Sequence, residues 1–68
     1  MNLFHDPNLL LSYINTKLRD QYKNLDDLCY DLDYSIDEVE KTLLKIGYKY
    51  LVERNAFVYM GGNEDGTD

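Results

Sequence analysis

Apolar residues recur at helical spacing through the first two thirds of the chain and at strand-like spacing near its end. Leu10, Ile14 and Leu18 form a central stripe, with Leu11, Tyr13 and Tyr22 on its flanks. That is one face of a helix with about 3.6 residues per turn. Asp6-Pro7 opens it: Asp is a good N-cap, and Pro at the first helical position loses no bond. The pattern predicts a helix from Pro7 to about Tyr22, with Lys17, Arg19 and Lys23 near the end that favours cations. Phe4, two residues before the cap, is placed to fold back on the first turn.

A second stripe follows. Leu25, Leu28, Cys29 and Leu32 stand at i, i+3, i+4 and i+7 behind Asn24 as cap, which predicts a short helix from Leu25 to Leu32. Asp33-Tyr34 makes the turn. Ser35-Ile36-Asp37-Glu38 reads as a capping box, in which Ser35 caps the Glu38 N–H and Glu38 reaches back. Ile36, Val39, Leu43 and Ile46, with Leu44 beside them, predict a third helix to about Ile46, ended by Gly47 in the left-handed conformation.

Beyond Gly47 the period changes. Tyr48-Lys49-Tyr50-Leu51-Val52 and Ala56-Phe57-Val58-Tyr59 are rich in aromatic and β-branched residues, which favours strands. A type I turn on Glu53-Arg54 with Asn55 left-handed would pair Val52 with Ala56; a looser loop would pair Val52 with Phe57. Both registers stay open at this level, and they differ in which tyrosines face inward. Gly61-Gly62-Asn63-Glu64-Asp65-Gly66-Thr67-Asp68 has no apolar residue and reads as a flexible acidic tail. The expected fold is mainly α with a C-terminal β-hairpin. Residues 1–60 form one domain with a three-helix, helix-turn-helix core and a minimal winged-helix layout, and residues 61–68 form the tail.

Composition narrows the function. The chain has 68 residues, 13 acids against 7 Lys and Arg, and a net charge of −6. So small a domain suits a binding module better than a catalytic cleft. The negative charge disfavours non-specific attraction to nucleic acid or anionic membrane. Seven Tyr and no Trp suit a core margin or a binding surface. A lone Cys29 makes no internal disulfide, and it reads as a small buried apolar residue. No signal-peptide pattern opens the chain, and no segment approaches the roughly 20 apolar residues of a membrane span, so a cytoplasmic protein is expected.

The chemistry-bearing patterns fail one after another. The many carboxylates fall on short exposed helices rather than across a desolvated cleft, as acid–base catalysis requires. A calcium loop starting at Asp31 needs Gly at its sixth position and Glu at its twelfth, where this chain has Ile36 and Thr42. His5 and Cys29 are too few for structural zinc. Gly61-Gly62 precedes no helix, so no phosphate loop is present. Neither an enzyme nor a cofactor is expected.

Several stretches resemble the bacterial domain of unknown function family 4250. They are Asp6-Pro7 with Leu10-Leu11-Ser12 and Ile14-Asn15-Thr16-Lys17-Leu18-Arg19-Asp20, then Leu25-Asp26 with Leu28-Cys29, Ile46-Gly47-Tyr48 with Tyr50, and Glu53-Arg54-Asn55 with Phe57. The resemblance spans roughly Asp6 to Val58. It implies a bacterial, cytoplasmic protein and brings no functional residues with it.

Two functional readings remain. Seven carboxylates (Asp26, Asp27, Asp31, Asp33, Asp37, Glu38 and Glu40) and no Lys or Arg lie between Asn24 and Glu40. The first reading makes this acidic face, with Asp31, Asp33, Asp37, Glu40 and Tyr34 as contact residues, a docking surface for another protein. The second is a DNA-binding regulator that uses the third helix and the hairpin, with Lys41, Lys45, Lys49 and Arg54 on phosphates. The groove-reading positions of a helix-turn-helix would be Ser35, Asp37, Glu38, Glu40 and Lys41, and acids there repel phosphate. The first reading is therefore favoured. A second copy could also pair at the hairpin edge, so a homodimer is compatible with the pattern.

Overall fold

The computed structural model describes residues 2–61; the acidic tail beyond Gly61 lies outside them. A single 3-10 turn over Leu3–His5 leads into α1 (Pro7–Asp20), α2 (Leu25–Leu32) and α3 (Ile36–Leu44). Strands β1 (Tyr48–Leu51) and β2 (Ala56–Tyr59) close the chain as a two-stranded antiparallel hairpin.

The caps explain where the helices begin. The Asp6 carboxylate accepts from the Leu9 N–H at 3.2 Å, and Asn24 Oδ1 accepts from the Asp27 N–H at 2.7 Å. The Ser35 hydroxyl accepts from the Glu38 N–H at a long 3.4 Å. Only this forward half of the capping box forms among the described residues. α1 ends two residues before Tyr22 and α3 two before Ile46. Such margins are ordinary for fraying last turns. Gly47 takes φ 84° after α3.

α2 ends differently from the expected plain turn. The Tyr34 N–H donates to the Cys29 carbonyl at 2.8 Å, and the Asp33 N–H to Tyr30 at 3.4 Å. Asp33 sits at φ 60°. This is a Schellman ending with an aspartate where glycine is the easy choice. Asp33 also places a negative charge at the negative end of the helix dipole. Phe4 does not simply cover its own helix start. Its ring meets Tyr34 edge-on, with centroids 5.2 Å apart, and so ties the N-terminus to the α2–α3 turn.

The core comprises Leu10, Ile14 and Leu18 from α1, Leu25, Leu28 and Cys29 from α2, Val39 and Leu43 from α3, and Phe57 from β2. Burying each large aliphatic side chain contributes about 1.5–3 kcal/mol. Thr42 joins the buried face of α3, whereas Leu44 is 56% exposed.

The hairpin adopts neither register expected from its sequence. Leu51 pairs with Ala56 and Tyr50 with Phe57, while Val52 leaves the ladder and is 77% exposed. Two consecutive turns close the loop, from the Arg54 N–H to Leu51 O and from the Asn55 N–H to Val52 O, each at 3.2 Å. Asn55 is left-handed at φ 51°, as expected. The four-residue loop brings two aromatic pairs together. Tyr50 meets Phe57 at 5.6 Å between centroids, and Tyr48 meets Tyr59 at 5.5 Å. It also aims the Asn55 side chain at the end of α1.

Two asparagines then lock the hairpin to the helices. Asn55 Nδ2 donates to the carbonyls of Leu18 (3.1 Å) and Tyr22 (2.9 Å), so it satisfies the open end of α1 from a distant loop. Its Oδ1 accepts from the Tyr50 hydroxyl at 2.6 Å, which in turn accepts from the Leu25 N–H at 3.2 Å. From the middle of α1, Asn15 Oδ1 accepts from the Phe57 N–H (2.8 Å) while Nδ2 donates to the Phe57 carbonyl (3.1 Å). One side chain thus takes the place of a neighbouring strand along β2.

Candidate functional site

All seven carboxylates between Asn24 and Glu40 are exposed. Among the described residues the one ion pair is Arg19–Asp20, at 2.9 Å, so none of the seven is paired with a cation among them. Asp26 and Asp27 lie in the first turn of α2, and Asp37 and Glu38 in the first turn of α3, where the dipole favours them. Asp31, Asp33 and Glu40 have no such support.

The fold sorts the expected contact residues into two groups. Tyr34 and Asp37 line a shallow groove between α2 and α3 together with Asp26, Asp27 and Tyr30. Asp26 continues round to Glu40 beside Asn24 and Val52. Asp31 and Asp33 do not line this groove. Asp31 accepts a short hydrogen bond from the Tyr22 hydroxyl, which ties α2 to the end of α1, and Asp33 is the left-handed cap. Tyr34 is partly buried against Phe4, and that burial raises its hydroxyl above the ordinary tyrosine range. Three of the five residues therefore have structural roles, whereas Asp37 and Glu40 stand free on α3.

Tyr30 was not among the sequence candidates. It is 90% exposed, stands between Asp26, Asp27 and Asp31, and lies off the buried stripe. Its position off the Leu25, Leu28, Cys29, Leu32 face was readable from spacing alone. A bare tyrosine ringed by unpaired acids offers a wide apolar face and a hydroxyl to a basic partner.

Cys29 is buried under this face. Burial pushes its thiol up, and Asp26 and Glu40 add to the effect, so it is a weak nucleophile. The Tyr22–Asp31 bond pushes the Tyr22 hydroxyl up to about 12 from 10.0. Folded Tyr22 is thus harder to ionise than unfolded Tyr22. The contribution of the bond is complete below pH 10 and is lost as pH rises through about 12. In an alkaline titration followed by near-ultraviolet absorbance, a tyrosine ionisation near pH 12 is expected, and Tyr22→Phe should remove that step.

The cations of the second reading also divide. Lys41 and Lys49 border the cleft between α3 and β1, and Lys45 and Lys49 border its continuation beside Tyr59 and Met60. Arg54, at the hairpin tip, instead joins Arg19 of α1 along an open depression that includes Asn15. Among the described residues, no group of three or more His, Cys, Asp or Glu is placed to hold a metal ion, and no helix is long and apolar enough to cross a membrane.

No curated protein and no solved structure matches the chain. One family profile does, over residues 4–57, which includes Asn15, Asn55 and Phe57 of the hairpin lock and every residue of the α2–α3 groove. The chain belongs to the family described as domain of unknown function (DUF4250).

Proposed function

We propose that the protein is an interaction module whose α2–α3 groove docks on a basic surface of another protein. The observation that carries this reading is the exposed, unpaired acidic face with Tyr30 bare at its centre. Uncompensated like charge costs a small domain stability through self-repulsion. Glu40 has no ion pair among the described residues that offsets that cost, and Asp37 has only the favourable start of α3. A partner carrying Lys or Arg would offset it and gain on-rate by electrostatic steering.

Neutralising the groove tests this. The triple variant Asp26→Asn, Asp37→Asn, Glu40→Gln alters exposed side chains only and should fold as the parent does. Used as bait beside the parent chain, it should lose the basic proteins that the parent retains from its native extract. Identical sets of retained proteins on both baits would refute the docking role of this face.

A second reading, nucleic-acid binding on a winged-helix-like layout, draws support from the grouping of Lys41, Lys45 and Lys49. It requires a complex with duplex DNA that weakens steeply with salt. The three acids Asp37, Glu38 and Glu40 on the same helix oppose it.

A further inference from the structure

The two edges of the hairpin are not equivalent. The Met60 N–H donates to the Gly47 carbonyl at 2.8 Å, which sets the alternation of the ladder. Lys49 and Leu51 turn their backbone groups toward β2, and Tyr48 and Tyr50 turn theirs away. At the matching position on β2, Asn15 occupies both backbone groups of Phe57. Among the described residues nothing does the same for Tyr48 or Tyr50. The β2 edge is sealed by a side chain at Phe57, whereas the β1 edge is open at both Tyr48 and Tyr50, a state that proteins normally blunt or use.

A cleft runs beside the open edge, between β1 and α3. Tyr48, Tyr50 and Phe57 line it, and Leu44 contributes an apolar wall. Its volume is about 250 Å³, below the roughly 300–1,000 Å³ of small-molecule sites and suited to a few side chains. Lys41 and Lys49 border it, with Lys45 in the adjoining groove, while Asp37 and Glu40 close the far end. We propose that the outer edge of β1 accepts an extended segment of another protein by strand addition, with apolar side chains in the cleft and carboxylates facing the lysines at the Gly47 end. Backbone bonds supply affinity in such a mode, and the cleft and charges supply selectivity. A second copy is a poor occupant, because self-pairing would bring together two sets of lysines on two chains of net charge −6 each. This surface adjoins the acidic groove at Asp37 and Glu40, but strand addition at β1 does not depend on that groove having a partner.

The test is a titration of the isotope-labelled full chain with a short blocked peptide of alternating glutamate and valine, read at backbone amides. The amides of Tyr48 and Tyr50 should shift and exchange with solvent at least about tenfold more slowly, and the variant Lys41→Glu, Lys49→Glu should bind at least about tenfold more weakly. A peptide of alternating lysine and valine should not bind. Three results would overturn the proposal: unmoved amides at Tyr48 and Tyr50, equal binding of both peptides, or protection that grows with protein concentration alone and so reports a second copy.

Discussion

Replacing Asn55 by alanine is expected to destabilise the domain by about 3 kcal/mol, because it removes three hydrogen bonds and puts at a left-handed position a residue that tolerates it less well than asparagine. The carbonyls of Leu18 and Tyr22 and the hydroxyl of Tyr50 all lose their partner. Stabilities of about 0.05–0.15 kcal/mol per residue put a chain of this length near 3–10 kcal/mol in total, so the loss is a large share. Glycine separates the two causes, since it keeps φ near 51° without strain but makes no bond. Urea unfolding should rank the parent above Asn55→Gly, and Asn55→Gly above Asn55→Ala. An alanine variant with the parent's midpoint would mean that the network contributes nothing.

Asn15 is expected to be the second most sensitive polar position. Asn15→Ala leaves the N–H and carbonyl of Phe57 unpaired at a partly buried edge, at a cost of about 2–3 kcal/mol. The loss should be local at first: the hairpin amides should exchange faster while those of α1 keep their protection. Asn15→Asp keeps the acceptor for the Phe57 N–H but sets an anion against the Phe57 carbonyl, so it should recover little or none of the loss. Equal exchange rates at Phe57 in parent and alanine variant would refute the clamp.

These two residues mark the boundary of what the sequence makes legible. Asp6, Asn24 and Ser35 bond to N–H groups three residues away, so their roles follow from local order. The same holds for Gly47 and for the left-handed Asn55. Asn15 and Phe57 are 42 positions apart, and Asn55 and Leu18 are 37 apart; no local pattern joins them. The one hint was an asparagine beside the stripe of α1, where it is a poor helix former. The hairpin register escaped for the same reason, since the contact of Asn55 with α1 helps to set it and lies outside the loop.

The candidate site divides in a similar way. Exposure of the acids was legible, because they fall off the apolar stripes. Which of them are free was not. Asp31 is engaged by Tyr22 from the end of α1, Asp33 is held at φ 60°, and Tyr34 is anchored by Phe4. Each of these depends on how the chain folds back. Asp33 breaks two local rules at once, as a left-handed non-glycine and as an anion at a helix C-terminus. Natural chains tend to keep such departures at strained or working positions. The grouping of Asp26 and Asp37 beside Tyr30, with Glu40 beyond Asp26, emerges only when α2 and α3 pack.

Tyr30 gives the most direct test of the docking groove. At 90% exposure, Tyr30→Ala removes no packing, and such surface changes leave stability within about 0.5 kcal/mol. An aromatic anchor at the centre of an interface costs about 2 kcal/mol or more when truncated. The decisive measurement sets the urea midpoint of Tyr30→Ala beside its affinity for the basic partner that the parent chain retains. An unchanged midpoint with binding weakened at least about tenfold is the predicted result; an unchanged midpoint with unchanged binding would contradict the groove as the docking surface.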